Sequence, residues 1–335
     1  MNLRYFMRRK IDAGLIYPDY KKWTILNVGR AAKGEKVPDP FELGEHYLVF
    51  VVDALGYYMF RRFFGQHDEV YPISSVLPSN TAVAIPALYS GEIPAKRGYY
   101  GSFSRENGRV LDLFRVGTDI ESAFSVTNVL PAHMRFRRRL LKLKGRTVYY
   151  ANGFDLKHVL NRLKGSAVVY VVDVDVVAHE RGPYTSSVKE TAAFYLDILR
   201  RVAERWKRVI LVSDHGMKRT GKQILLSKLG YGECDAFGDF RAVLLDRPWD
   251  EMNSYTLFPD FCARLYGVTE CPAKYVVLPS DGTTYYFPGS ERLVEKTRGG
   301  IHGGATPEEL LAVLLSGSGK EVAETLNKIL KPSGR

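Results

Sequence analysis

The chain has 335 residues, enough for one large α/β domain or two smaller ones. Its 45% hydrophobic and 25% charged residues are typical of a globular protein, and its longest apolar runs are too short to span a bilayer. The formal net charge of +11 favours anionic partners, a class that includes phosphate esters, nucleotides and nucleic acid.

The first residues and the cysteines predict the cell compartment. Residues 1–10 lack the apolar region of a signal peptide. The three cysteines show no Cys-x-x-Cys spacing, so we expect neither a disulfide framework nor a thiolate zinc site. A reducing cytoplasm is therefore the default expectation. A single bridge, either Cys234–Cys271 or Cys262–Cys271, stays open.

The chain begins with a mixed, basic segment and then alternates two kinds of apolar pattern. Residues 1–44 predict a helical extension packed on the main body. We predict strands at 46–53, 70–77, 147–151, 167–174 and 208–213, and helices at about 55–65, 82–90, 155–163 and 186–206. Such alternation is typical of right-handed βαβ units. We therefore expect an α/β fold with a mostly parallel central sheet and helices on both faces.

The pattern changes between about residues 218 and 298, where Tyr, Phe, Gly and Asp are frequent and the predicted strands are short. We interpret this region as a small sub-domain inserted into a catalytic domain that spans residues 45–335. Beyond it, the spacing predicts a helix that begins at Thr306. Thr306 is the expected N-cap, Pro307 the first helical residue and Glu309 the partner in a capping box.

Acidic and histidine residues lie at or just beyond the ends of the predicted strands. Ligands of open α/β sheets lie beyond the carboxyl ends of the strands, so these side chains are expected to meet at one edge. Three carboxylates and three imidazoles suit a site for two divalent metals. The residues are Asp53, Asp175, His179, Asp214, His215 and His302.

Each of these residues also has an ordinary structural interpretation. Asp53 fits a helix cap, and the pair Asp214-His215 fits a polar turn. The segment 175–179 fits a solvated loop, and His302, between glycines, fits a flexible turn. Their joint occurrence, in this order and on this strand pattern, favours the metal site.

Thr81 is the candidate nucleophile. We expect it at the N-cap of the helix that begins near residue 82. Free N–H groups and the positive end of the helix dipole suit a phosphoryl group at that position. Coordination by a metal would activate the hydroxyl. The alternative is an N-cap threonine without a chemical role.

These segments resemble the motifs of the alkaline phosphatase superfamily, and within it the type I phosphodiesterase/nucleotide pyrophosphatase branch. The matching segments are Val51-Val-Asp-Ala-Leu-Gly56, Pro78-Ser-Asn-Thr81, Asp175-Val-Val-Ala-His179-Glu-Arg-Gly182-Pro183, Ser213-Asp-His-Gly-Met217 and Ile301-His302-Gly-Gly304. The segment Ala305-Thr-Pro-Glu-Glu309 is also similar to PglZ-type members of the superfamily.

The resemblance implies two divalent metals, each with its own ligands. One is held by Asp53, Asp214, His215 and the Thr81 oxygen, the other by Asp175, His179 and His302. Zinc is the first expectation for such ligands, and manganese is compatible with them. The implied reaction is hydrolysis of a phosphodiester or pyrophosphate bond in a nucleotide-like substrate, through a phospho-threonine at Thr81.

Other features depart from the family's pattern and leave alternatives open. The Asn that follows the nucleophile in many members is not matched in residues 82–86. Asn80, on the other side of Thr81, is a candidate substrate contact. Asp239 and Arg241 are candidates for the pocket lining, although such residues more often belong to the core or the surface. The alternatives are a phosphomonoesterase or phosphotransferase on the same scaffold, and a non-catalytic nucleic-acid-binding member.

Overall fold

The structure is a computed structural model that describes residues 3–11, 14–106, 108–136, 140–232, 234–247, 255–257 and 259–331. Parts of the predicted extension and of the predicted insertion therefore lie outside the described residues. Of the helices described, none is both long enough and apolar enough to cross a membrane.

The helices and strands alternate along most of the chain. The α-helices are α1 (Arg4–Met7), α2 (Leu26–Ala32), α3 (Tyr57–Phe64), α4 (Thr81–Ser90), α5 (Leu113–Val116), α6 (Gly153–Arg162), α7 (Asp173–Arg181), α8 (Ser186–Val202), α9 (Pro259–Tyr266), α10 (Pro307–Leu310) and α11 (Gly319–Leu330). The strands are β1 (Tyr47–Val52), β2 (Val70–Ser74), β3 (Phe103–Glu106), β4 (Arg109–Asp112), β5 (Thr127–Pro131), β6 (Thr147–Tyr150), β7 (Ala167–Val171), β8 (Arg208–Val212), β9 (Lys218–Arg219), β10 (Gln223–Leu225), β11 (Ala236–Asp239), β12 (Ala242–Leu245), β13 (Tyr255–Leu257), β14 (Tyr275–Leu278), β15 (Thr284–Tyr286), β16 (Gly300–Ile301) and β17 (Leu311–Gly317).

The main sheet has seven strands in the order β2-β17-β8-β1-β7-β5-β6. Strand β17 runs antiparallel to both of its neighbours, while β1, β5, β6, β7 and β8 pair in parallel. Helices α6, α8 and α11 pack on one face and α2 and α4 on the other. The predicted fold class, a mostly parallel α/β sheet with helices on both faces, is confirmed.

Strand β1 shows why the central strands are apolar along their whole length. Its even-numbered residues Leu48, Phe50 and Val52 belong to the hydrophobic core on one face of the sheet. Val49 and Val51 belong to the core on the opposite face. Successive strand residues point to opposite faces, so a sheet covered on both sides buries every residue.

The end of the chain differs from the prediction of a helix that begins at Thr306. Thr306 is an N-cap and Pro307 the first helical residue, but α10 ends after four residues at Leu310. The apolar run that follows forms β17 and inserts between β2 and β8. A short apolar run fits a buried strand as well as a helix, and here the open position in the sheet decides between them.

A second, antiparallel sheet has six strands in the order β13-β14-β12-β11-β3-β4. Four of its strands come from the region 218–298, and β3 and β4 come from residues 103–112. The domain boundaries stay a prediction. Cys262 and Cys271 form a disulfide, one of the two bridges that the sequence left open, and Cys234 is exposed and outside it.

A fully buried ion pair joins the second sheet to the main one. Arg241, between β11 and β12, donates from Nε to Glu309 Oε1 (2.6 Å) and from Nη2 to Glu309 Oε2 (2.8 Å). Its Nη1 donates to the Thr283 carbonyl (2.5 Å) and its Nη2 also to the Pro279 carbonyl (3.2 Å). This bidentate geometry is the strongest form of an arginine–carboxylate contact.

Glu309 therefore does not complete the predicted capping box, and that prediction is wrong. Its Oε1 accepts from the Gly304 N–H (2.9 Å), and its Oε2 accepts from the Thr306 hydroxyl (2.6 Å). Both carboxylate oxygens are thus occupied by Arg241 and by the loop that follows His302. Glu309 pairs with Arg241 instead of capping α10, because a guanidinium that is buried away from water needs a counter-charge.

We expect Glu309→Gln to lower the free energy of unfolding by about 3–5 kcal/mol, because it leaves the Arg241 charge buried without a counter-charge. Urea denaturation measures the change. The matched control is Glu69→Gln, which removes an exposed ion pair with Lys328 (3.5 Å) and should cost less than about 1 kcal/mol. Equal, small losses in both variants would contradict a structural role for the buried pair.

Candidate active site

The first group of predicted ligands lies at the carboxyl ends of two adjacent strands. Asp53 follows β1, and its N–H donates to the Val171 carbonyl of β7 (2.9 Å). Asp214 and His215 follow β8, which pairs in parallel with β1. Adjacent parallel strands end at the same edge, and this places the three side chains together.

The side chains of this group converge within hydrogen-bonding or ion-pair distance. His215 Nε2 lies 3.4 Å from Asp53 Oδ1 and 3.3 Å from Asp214 Oδ2. All three residues are fully buried. The Thr81 hydroxyl lies 3.2 Å from His215 Nε2 and 3.4 Å from Asp53 Oδ1. The predicted nucleophile is therefore brought to the predicted ligands.

Thr81 is the first residue of α4, not its N-cap as predicted. The cap is Asn80, whose side-chain oxygen accepts from the Val83 N–H (3.2 Å). The Asn80 side-chain amide donates to Ser102 Oγ (2.8 Å) and to Asp239. These contacts leave the Thr81 hydroxyl free of capping, so that it faces the ligand group at the positive end of the helix.

The second group of ligands combines a helix and a loop. Asp175 and His179 stand four residues apart on α7, and not at a strand end as expected for Asp175. His179 Nε2 lies 3.4 Å from Asp175 Oδ1, and His302 Nε2 lies 3.5 Å from the same oxygen. The two imidazoles approach to 3.1 Å between their Nε2 atoms. Acidic residues in the first turn of α7 favour a helix that begins there.

The two groups share a boundary. The rings of His215 and His302 stack with their centroids 4.0 Å apart and their planes inclined by 27°. Each group has donor atoms that all lie within 4.8 Å of one another. The structure thus brings all six predicted ligands and Thr81 into one continuous site.

The backbone fixes which nitrogen faces the site in the imidazoles of His179 and His215. His179 Nδ1 lies 2.7 Å from the Gly300 carbonyl, and His215 Nδ1 lies 2.9 Å from the Gly216 carbonyl. A carbonyl only accepts, so each Nδ1 carries the proton in the neutral ring. The Nε2 atom of His215 then presents a lone pair toward Asp53 and Asp214, and that of His179 toward Asp175, as metal-binding histidines do.

Burial and mutual repulsion act on the ionisable groups of the site. Burial, and then the charges of Asp214 and Asp175, raise the pKa of Asp53 well above its ordinary range. Burial raises the pKa of Asp214 to about 7. Burial, and then the charges of His215 and His179, lower the pKa of His302 well below its ordinary value. Without a cation, the site disfavours the charged form of each of these groups.

The donor set fits two divalent cations. Among the described residues, no hydrogen-bond partner faces Asp175 Oδ1 or Asp214 Oδ2, although both atoms are buried. Buried carboxylate oxygens without donors, set against imidazole lone pairs, are unfavourable unless a positive charge lies between them. Nitrogen and oxygen ligands of this kind suit zinc and are compatible with manganese, so the identity of the ion stays a prediction.

Further hydrogen bonds orient the first group of ligands. The Tyr170 hydroxyl, fully buried on β7, donates to Asp53 Oδ2 through a short contact. The N–H groups of Ala54 (3.2 Å) and His215 (3.0 Å) donate to Asp214 Oδ1. One oxygen of each carboxylate is thus held by the protein, so that the other points toward His215 Nε2. Such outer contacts set ligand direction and basicity.

Close backbone packing explains the glycine that follows His215. A Cβ on Gly216 would lie 2.1 Å from the Glu308 carbonyl oxygen. The Gly216 N–H also donates to the Glu309 carbonyl (2.7 Å). Only glycine permits this approach, which fixes the end of β8 against α10.

Several residues around the site had no clear signal in the sequence. Tyr170 occupies an ordinary strand position, and Ser102 lies outside every motif. Asp239 was an open candidate; it is fully buried, lines the cavity beside Thr81, and accepts from the Ser102 N–H (2.9 Å). Burial raises the pKa of Asp239 to about 6. Arg241, the other candidate for the lining, belongs instead to the buried ion pair.

We expect Tyr170→Phe to weaken metal binding by about 10- to 100-fold, because Asp53 loses the donor that orients it. Titration calorimetry with zinc or manganese measures the change. The control is Tyr5→Phe, which removes another tyrosine–aspartate bond, to Asp19 (2.8 Å), away from the site. A Tyr170→Phe protein that binds metal as tightly as the control would refute the orienting role.

Comparison with known proteins gives structural neighbours but no match in sequence. No family model matches the chain, and no curated protein matches it significantly. The phosphonoacetate hydrolase of Sinorhizobium meliloti 1021, solved with phosphonoformate, superposes with a TM-score of 0.54. Its identity is 12%, and the match covers 84% of this chain and 95% of that chain.

Murine ectonucleotide pyrophosphatase/phosphodiesterase 5 superposes with a TM-score of 0.54 at 12% identity, over 87% of this chain and 96% of that chain. An inactive variant of the murine enzyme, in complex with AMP, gives a TM-score of 0.52 at 11% identity over the same shares. At such identities the likeness establishes the fold. The chain therefore has the alkaline phosphatase-like α/β fold that the resemblance of its motifs implied.

Proposed function

We propose that the protein is a two-metal hydrolase of phosphodiester or pyrophosphate bonds in which Thr81 is the nucleophile. The observation that carries the proposal is the position of the Thr81 hydroxyl, 3.2 Å from His215 Nε2 at the edge of two adjoining donor groups. The two neighbours reported above, a phosphonate hydrolase and a pyrophosphatase/phosphodiesterase, support the same class of chemistry on this fold.

The surroundings of Thr81 suit a nucleophile. The hydroxyl faces acceptors, namely His215 Nε2 and the Asp53 carboxylate, so that its proton is directed away from the cavity. Two divalent metals, when bound, would lower the pKa of the hydroxyl and neutralise charge on the phosphoryl and leaving oxygens. Thr81 itself is 9% exposed and lines a cavity of about 880 Å3.

The first step exchanges one phosphorus–oxygen bond for another. Thr81 Oγ1 gives up its proton and forms a bond to phosphorus, while the bond from phosphorus to the leaving oxygen breaks and that oxygen takes up a proton. The positive end of α4 stabilises the phosphoryl oxygens, because the N–H groups that precede the capped Val83 N–H have no acceptor within the helix. The product of this step is phospho-threonine at Thr81 and a free alcohol or phosphate.

The second step returns Thr81 to its starting state. Water attacks phosphorus and gives up a proton, the bond from phosphorus to Thr81 Oγ1 breaks, and Oγ1 takes up a proton. The restored hydroxyl again faces Asp53 Oδ1 at 3.4 Å and His215 Nε2 at 3.2 Å. A nucleophile held in one position before attack lowers the entropic cost of orientation.

The size of the cavity favours an ester with a large group over a simple monoester. A volume of about 880 Å3 is within the range of sites for drug-sized ligands, far more than a phosphate requires. The complex of the murine neighbour with AMP supports a nucleotide-like substrate. The alternative of a nucleic-acid-binding member gains no support, because the ligands named for the neighbours are small molecules.

We expect Thr81→Ala to lower the turnover of bis(4-nitrophenyl) phosphate by about three orders of magnitude or more, the scale seen when a nucleophile is removed. The release of nitrophenol, with added zinc or manganese, measures the rate. Thr81→Ser keeps the hydroxyl and should retain measurable turnover. If the alanine variant hydrolyses the diester as fast as wild type while binding metal, Thr81 is not the nucleophile.

Metal binding can be tested without any assay of activity. We expect the purified protein to bind roughly two zinc or manganese ions per chain, and Asp214→Asn and His302→Ala each to lose one class of site. Equilibrium dialysis gives the stoichiometry. Saturating metal should also raise the melting temperature of wild type. A chain that binds no divalent ion would refute the proposed cofactor.

A further inference from the structure

Asp239 is a buried carboxylate beside Thr81 that takes no part in the steps above. It is the last residue of β11, is 1% exposed, and lines the same cavity as Thr81. Unlike the three aspartates of the donor groups, it belongs to neither group among the described residues. A buried charge is retained only where it is paired or hydrogen-bonded, so the partners of Asp239 indicate its role.

Three N–H donors hold this carboxylate in one orientation. Asp239 Oδ2 accepts from the Ser102 N–H (2.9 Å) and, through a short contact, from the side-chain amide of Asn80. Asp239 Oδ1 accepts from the Phe240 N–H (2.9 Å). A neutral amide in the same place would have one acceptor oxygen, and its NH2 group would face at least one of these donors. Only a carboxylate therefore satisfies all three.

Close backbone packing fixes the position of the carboxylate as well. A Cβ on Gly101 would lie 2.1 Å from the Gly238 carbonyl oxygen, so two segments touch here through their backbones. These segments carry Ser102 and Asp239. On the other side, a Cβ on Gly303 would lie 2.6 Å from Asp239 Oδ1. Gly303 also has a φ of +112°, which favours glycine. The carboxylate therefore has little room to move.

The contacts of Asn80 determine which end of its amide faces α4. The Val83 N–H is a donor, so the amide oxygen of Asn80 faces it, at 3.2 Å. The NH2 group then faces Asp239 and Ser102 Oγ, the latter at 2.8 Å. Hydrogen bonds to a charged acceptor are the stronger ones. Without the carboxylate, the amide would lose its strongest acceptor and could rotate away from the helix.

Thr81 lies in the chain between the cap and the capped N–H group, so it depends on the position of the Asn80 side chain. The N–H groups of Thr81 and Ala82 precede that of Val83 and have no acceptor within the helix. They stay available to phosphoryl oxygens only while the cap bonds to Val83 and not to them. A displaced cap would also turn the first residue of α4, whose hydroxyl now lies 3.2 Å from His215 Nε2.

We propose that Asp239 is a positioning residue, which holds the Asn80 side chain on the Val83 N–H and thereby holds Thr81 in place for attack on phosphorus. This inference rests on the proposed function and adds to it a residue from the antiparallel sheet. Asp239 and Asn80 act through α4 and not by contact with the substrate. A shift of a reacting atom by about 1 Å can lower a rate by about 100-fold, so this effect is measurable.

Two other roles for Asp239 make different predictions. A carboxylate that only joins the two sheets would contribute to stability and not to the rate of the folded enzyme. A carboxylate that acts by its charge alone would repel an anionic substrate, so its removal would raise kcat/KM. The positioning role predicts a lower kcat, with little change in KM.

The test compares Asp239→Asn with wild type on bis(4-nitrophenyl) phosphate, with saturating zinc or manganese. We expect kcat to fall by about 10- to 100-fold, KM to change by less than about threefold, and the number of bound metal ions to stay the same. The matched control is Asp19→Asn. Asp19 is 2% exposed, accepts from three backbone N–H groups and lies outside the cavity lining. This control should lower the melting temperature and leave kcat unchanged.

A double-mutant cycle tests the path through Asn80. Asn80→Ser keeps a good N-cap but removes the amide that Asp239 holds. We expect Asn80→Ser also to lower kcat, and the variant with both changes to be about as active as the less active single variant. Losses that multiply would show that the two residues act independently, and this would overturn the proposal.

A wild-type or higher kcat in Asp239→Asn would also overturn the positioning role, while the phosphodiesterase itself would stand. If Asp239→Asn does not fold, Asn80→Ser decides alone, because a wild-type kcat in that variant would show that Thr81 does not need the contact with Asp239. The absence of turnover by wild type, with metal bound, would instead overturn the proposed function and this inference with it.

Discussion

The concentration of like charge at one edge of the main sheet is the constraint on which the rest of the structure depends. Asp53, Asp175 and Asp214 are buried beside one another, and the imidazole nitrogens that face them present lone pairs. Bare carboxylates in such a place repel one another and lose hydration. The arrangement is stable only on a scaffold that holds each ligand rigidly, or with cations between the ligands.

The scaffold supplies that rigidity through strands that are buried on both faces. Asp53 and Asp214 follow β1 and β8, whose apolar residues leave little freedom to shift register. Backbone N–H groups and the Tyr170 hydroxyl then fix the direction of each carboxylate. Two elements of the site, α7 and the loop of His302, lie outside the sheet and need other support.

The buried pair Arg241–Glu309 gives that support to the loop of His302. Glu309 accepts from the Gly304 N–H, and the Gly304 carbonyl accepts from Ser79 Oγ (2.7 Å), two residues before Thr81. One ion pair is therefore linked both to the loop of His302 and to the segment that holds Thr81. Asp239, at the end of β11, makes a second contact between the antiparallel sheet and the segment of Thr81, because it accepts a hydrogen bond from the Asn80 amide. We infer that the antiparallel sheet helps to hold the segments of Thr81 and His302 in place.

The sequence predicted the parts of the site that follow from local pattern, and it was wrong or silent where long-range contacts decide. Residues at strand ends meet because parallel strands share an edge, so Asp53, Asp214 and His215 were accessible to reasoning from the sequence. The position of Asp175 on a helix could not be predicted from the sequence, because the apolar run before it has no clear end. The apolar sequence of β17 fits a helix as well as a strand. Its pairing with β2 and β8 makes it a strand. Glu309 matches a capping box by spacing, yet it pairs with Arg241, 68 residues away in the chain.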